Sequence, residues 1–180
     1  MRMNCVICNM MKAILFSECA AVALLSACGG PAVKPEVYND SLVIQQIRVV
    51  DKADELQDAF NSYVEAEMRM RHQQLERQIE ASLAQVNKME DYDGDDAFRK
   101  STLSMLDGYK QLVGKEYTEA EKILSQPDSL YSDSDEARLE LLYKEIDKLS
   151  DELTANFKRA QEEFAKKHKL NLNKESEASH

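Results

Sequence analysis

The chain has 180 residues, 33 of them acidic and 23 basic, for a net charge of −10. That excess of carboxylates disfavours nucleic acid, whose phosphates need clustered Lys and Arg, and it disfavours electrostatic adhesion to anionic lipid. The length allows one domain of ordinary size.

The first segment is read as an export signal. Lys12 precedes "AILFSECAAVALL", an apolar run that contains one carboxylate, Glu18, and is too short to span a bilayer as a helix. Met11 is a plausible true start, and "MRMNCVICNM" before it holds Cys5 and Cys8 in C-x-x-C spacing without a second pair. Leu25-Ser26-Ala27-Cys28 closes the run. This box resembles the lipobox of bacterial lipoproteins, and the resemblance implies cleavage before Cys28 and a covalent lipid on its thiol. Residues 1–27 are therefore expected to be a lipoprotein signal peptide. All four cysteines then belong to the leader or the anchor, and the mature chain has no disulfide to form. Removing residues 1–27 takes away Arg2, Lys12 and Glu18 and leaves 21 basic against 32 acidic residues, a charge of −11. Attachment to a membrane then rests on acyl chains, and two or three on Cys28 would suffice.

Residues 28–37, with Gly29, Gly30, Pro31 and Pro35, read as a flexible tether. Beyond it the composition favours helix. A first helix is expected from about Ser41 to Tyr63, capped by Asn39 or Asp40. Its stripe is Val43, Gln46, Val50, Ala53, Gln57, Phe60 and Val64. A second helix, Glu65 to Met89, carries the seam Met68, His72, Leu75, Ile79, Ser82, Val86 and Met89 at alternating four- and three-residue steps. A turn is expected near residues 61–66. The alternative is an unbroken rod over 41–89 in an elongated three-helix arrangement.

"EDYDGDD" (residues 90–96) is a turn, with Asp95 or Asp96 capping the next helix. Its aspartates do not fit a calcium loop, because glycine stands at position 4 rather than 6 and Thr102 at position 12. The third helix places Phe98, Thr102, Met105, Tyr109, Leu112, Glu116, Ala120 and Ile123 on one face. Pro127 breaks it. A fourth, about Asp135 to Leu170, carries Leu139, Tyr143, Ile146, Ser150, Leu153, Phe157, Ala160 and Phe164, with Leu142 and Leu149 widening the stripe. Residues 171–180 are polar and expected to be a disordered tail. The fold class is all-α: an antiparallel up-down-up-down four-helix bundle over residues 38–170, behind a lipoprotein signal peptide.

Three short patches carry a family resemblance: Tyr38-Asn39-Asp40 with Gln46, Gly94-Asp95 before Phe98-Arg99, and Ala160-Gln161 with Phe164-Ala165-Lys166-Lys167. Together with the lipobox and the acidic helical chain, they resemble an uncharacterised family of bacterial surface lipoproteins known from spirochaetes and Bacteroidetes-type bacteria. The resemblance implies a lipid-anchored helical protein of the outer membrane or cell surface, and it supplies no catalytic residues.

Chemistry-bearing patterns are sparse. The helices contain no Glu-x-x-His, and the chain has no H-E-x-x-H, no G-x-S-x-G and no glycine-rich phosphate loop. No catalytic or metal-ligating set is therefore expected, and the protein is read as a non-enzyme. His168 is expected to be solvated near a helix end, and His180 is terminal. His72 sits in the seam, and pairing the second and third helices symmetrically across residues 90–95 brings Glu116 and Tyr143 near its level. His72, Glu116 and Tyr143 are thus the candidate buried polar cluster, read foremost as a layer that fixes register. Two functions follow. One is a lipid-anchored binding or structural protein with an unknown envelope partner, no nucleic acid and no cofactor beyond the lipid on Cys28. The other is a small haem- or metal-binding bundle with His72 and Met68 as candidate ligands.

Overall fold

The computed structural model describes residues 33–172, and over these the protein is all-helical. Four helical rods form it: α1 (Pro35–Ser62), α2 (Glu65–Asn87), a third rod in three pieces, and α5 (Asp133–His168). The pieces are α3 (Ala97–Leu112), a π-turn (Val113–Tyr117) and α4 (Thr118–Leu124). The expected signal peptide, the lipobox and residues 28–32 lie outside the described residues, as do residues 173–180 of the expected tail.

Helix α1 starts six residues earlier than the sequence suggests. Pro35 serves as an opening residue, since the first amide of a helix has no partner to lose, and Lys34 holds the extended conformation before it. Residues 35–37 of the expected tether are therefore helical, and Asn39 lies inside the helix rather than at its cap. Ala53 and Phe60 of the expected stripe are buried, and elsewhere the buried position lies one residue before the expected one. Tyr38, Leu42, Gln45, Val49, Ala53, Leu56 and Phe60 are buried, while Val43, Gln46, Val50 and Gln57 border them half-buried.

The turn expected near residues 61–66 is present and rules out the 41–89 rod. Tyr63 ends α1 in the left-handed region at φ 54°, and Val64 is extended ahead of α2. Every seam residue of α2 from Met68 to Val86 is buried, and Met89 is half-buried just past its end.

The third rod buries all eight residues of its expected face, and Leu106, Val113, Tyr117 and Leu124 besides. The π-turn is the unexpected feature. Thr118 Oγ1 donates to the Val113 carbonyl at 2.8 Å, satisfying an acceptor that the widened turn frees. One extra residue per turn lets Val113, Glu116 and Tyr117 all face inward.

Helix α5 opens at Asp133, two residues before the expected start, and Ser132 caps it through a capping box with Asp135. Leu139, Leu142, Ile146, Phe157 and Phe164 are buried as expected, whereas Tyr143, Ser150, Leu153 and Ala160 are only half-buried. Leu149 does not widen the stripe, being 37% exposed. Here α5 leans on α3 through a bare backbone patch: a Cβ added at Gly108 would come within 2.8 Å of Leu153 Cδ1.

Candidate functional site

His72 is the most buried ionisable group on α2, at 8% exposure. It is fixed by the seam periodicity, with Met68 and Leu75 buried one turn to either side. Its Nδ1 lies 2.7 Å from Glu121 Oε2 of α4, and its Nε2 lies 3.7 Å from Glu76 Oε1 on its own helix. The first approach lacks hydrogen-bond alignment, so it is a close polar contact rather than a directed bond. Arg69, Gln73, Thr118, Lys122 and Ser125 complete a cleft of about 430 Å³ between α2 and α4, with the imidazole in its wall. The arrangement sets one imidazole between two carboxylates and ties α4 to α2 at this level.

The other members of the expected cluster lie elsewhere. Glu116 is buried, and its Oε1 accepts from Lys115 Nζ at 2.7 Å. It lines a different cavity, of about 330 Å³, with Gly108, Leu149 and Leu153. Tyr143 packs its ring 6.4 Å from Phe60. The error is one of level. Non-helical residues 89–92 carry the chain past the end of α2 before Asp93 and Gly94 reverse it, both at positive φ, and only Asp95 and Asp96 lead back to α3. Extended residues advance about 3.3 Å and helical ones about 1.5 Å. The asymmetric turn therefore slides α3 and α4 several residues along α2, and the partner becomes Glu121.

Met68 and His72 share one face of one helix, four residues apart, with Met68 fully buried. Side chains so placed point the same way and cannot stand on opposite sides of a haem iron.

A second polar cluster, missed from sequence, ties the start of α1 to the end of α5. Asn39 Oδ1 accepts from Gln161 Nε2 at 3.1 Å, and Asn39 is 1% exposed. Tyr38 packs against Tyr92 and Phe164 with ring centroids 5.2 Å and 5.5 Å apart, and its hydroxyl donates to the Glu90 carbonyl. Burial pushes that phenol up, with nearby Arg99 opposing. His168 is not solvated: it sits edge-on to Tyr92 at 4.7 Å and against Phe164 at 4.5 Å.

Three aspartates of the acidic turn are engaged by cations. Asp91 accepts from Arg99 Nη2 at 2.6 Å, and Asp96 pairs with Lys100 at 2.6 Å. Asp95 accepts from Lys167 Nζ at 2.7 Å and from the Ala97 amide at 3.1 Å. Those two bonds hold its carboxyl below the usual range. In the core, Tyr117 accepts from Gln57 Nε2 at 3.2 Å, and burial drives its phenol pKa far up.

Leu25, Ser26, Ala27 and Cys28 lie outside the described residues. Comparison of the chain with protein-family models, with characterised proteins and with solved structures finds no match.

Proposed function

We propose that the chain is a lipid-anchored lipoprotein of the bacterial outer membrane or cell surface, with a non-enzymatic binding or structural role and an unidentified envelope partner. The observation that carries this reading is Leu25-Ser26-Ala27-Cys28 at the end of an apolar run behind Lys12. The resemblance to helical surface lipoproteins belongs to the same proposal. No described helix is long and apolar enough to cross a membrane, and the proposal assigns attachment to Cys28 alone.

The domain carried by the anchor is proposed to be an antiparallel up-down-up-down bundle. Contacts between helix ends support that topology: Tyr38, at the start of α1, meets Glu90 just past α2 and Phe164 near the end of α5, while Phe60, near the end of α1, meets Tyr143 in the first third of α5. His72 then serves as an internal polar contact, with Glu121 in place of a catalytic or cofactor partner.

Fractionation of cells producing the Cys28→Ala chain tests the proposal. The variant is expected to leave the membrane for the soluble or secreted fraction. Retention in salt-washed membranes, equal to that of the unaltered chain, would contradict it.

A further inference from the structure

At the end of α1 remote from Pro35, two chain turns expose apolar side chains that the core does not use. Tyr63 and Val64, between α1 and α2, are 72% and 50% exposed; Leu130 and Tyr131, ahead of α5, are 66% and 39% exposed. The two turns lie at the same end of the helices, since Phe60, three residues before Tyr63, packs its ring 6.4 Å from Tyr143 in the first third of α5.

Each residue is presented on a fixed backbone. The Tyr63 amide bonds back to the Phe60 carbonyl at 3.4 Å, the Leu130 amide closes a turn on the Pro127 carbonyl at 2.8 Å, and the Ser132 capping box holds the residue after Tyr131. Tyr63 is the telling one. A helix ending in the left-handed region favours glycine, because a Cβ there is strained. This chain instead places a tyrosine at φ 54° and leaves it in solvent. The core does not use that side chain, and strain of this kind collects at functional sites.

The surroundings specify the partner's charge. Segments 61–68 and 125–137 contain Glu65, Glu67, Asp128, Asp133, Asp135 and Glu136 and no Lys or Arg. Of the flanking cations, Arg69 pairs with Glu65 and Arg138 holds Glu119 with bonds of 2.8 Å and 2.7 Å, which leaves Glu67, Asp128, Asp133, Asp135 and Glu136 in excess at the tip. Two copies of such a tip repel each other, and an anionic leaflet repels it as well.

We propose that this tip is a docking surface for a cationic protein partner, with Tyr63 and Tyr131 as apolar anchors and the carboxylates as a rim that selects Lys and Arg. Exposed tyrosines ringed by polar groups are the usual centre of such contacts. The surface is independent of the lipid anchor, so its failure and the anchor's failure are separate results.

The test uses the full chain and defined probes. A Lys/Leu amphipathic peptide, its Glu/Leu counterpart and vesicles of phosphatidylcholine with phosphatidylglycerol are titrated against it, read by tyrosine fluorescence, since the chain has no Trp. The Lys/Leu peptide is expected to bind, at least tenfold more weakly to the Tyr63→Ser, Tyr131→Ser variant, and unchanged to Ile44→Ser at the other end of α1. Tyr63→Gly should raise the urea midpoint by relieving strain and still weaken binding. Equal affinity of the double-serine variant, preference for the Glu/Leu peptide, vesicle binding through the tip, or tip-dependent dimerisation in sedimentation would each overturn the proposal.

Discussion

His72 of α2 and Glu121 of α4 meet at 2.7 Å across a helix interface, although 49 positions separate them and neither spacing nor composition pairs them. The contact is mostly shielded, with side-chain exposures of 10% and 18%. It opens on a cleft, so each partner keeps access to water when the other is removed.

That access sets the first expected outcome. His72→Leu should keep the fold and shift stability by no more than about 1 kcal/mol, because apolar replacement of a polar contact is often near neutral. Glu121→Gln should behave likewise. A double-mutant cycle by urea unfolding should give a coupling of about 0.5–2 kcal/mol between them. The same cycle with Glu116→Gln should give none, because Glu116 faces Lys115 and α5. Coupling to Glu116 that equals coupling to Glu121 would mean that the register of the third rod is wrong.

Acid should loosen the end of the protein where Asp95 ties the acidic turn to Lys167. Its carboxyl is held below the ordinary range by the Lys167 bond and the Ala97 amide. A depressed carboxyl contributes stability above its unfolded pKa, near 4, and loses that contribution as pH falls through the folded value. Unfolding from pH 6 down to pH 2.5 should therefore cost the unaltered chain more than Asp95→Asn. The difference should be about 1 kcal/mol, the scale of a partly exposed ion pair. Parallel acid profiles for the two chains would remove Asp95 from the account.

Along α5, burial ranks the tolerance of three positions. Ile146 is fully buried, Leu153 is half-buried over Gly108, and Glu152 points to solvent with 58% of its side chain exposed. Ile146→Asp should abolish folding, since an unpaired carboxylate there has no water to reach. Leu153→Asp should cost about 2 kcal/mol and leave a folded protein, within the range of large mutational losses. Glu152→Lys should change little. Circular dichroism with urea titration separates the three, and a Leu153→Asp chain as disrupted as Ile146→Asp would refute this ranking.

Helix number and the inward faces of α2 and the third rod were legible because three- and four-residue steps of Met, Leu, Ile and aromatic residues have one meaning over so many turns. The start of α1 was missed because Pro35 looks like a breaker when it is a starter, and its face was legible at Ala53 and Phe60 but not at Leu42, Gln45, Val49 and Leu56, whose neighbours are also apolar or amide side chains. The polar contacts were illegible for a different reason. Which residue of α4 stands level with His72 depends on how far residues 88–92 run on before Gly94 turns them, and that length is not encoded in any spacing. Asn39 and Gln161 meet across 122 positions in the same way. His168 looked solvated beside two lysines, yet Tyr92 reaches it from the turn.

The central claim is the anchor, and intact mass spectrometry of protein extracted from membranes tests it most directly. The account predicts a chain beginning at Cys28, heavier than its sequence mass by a diacylglyceryl group, with or without a further acyl chain. A membrane-extracted chain beginning at Met1 or Met11, or one beginning at Cys28 with an unmodified thiol, would contradict it.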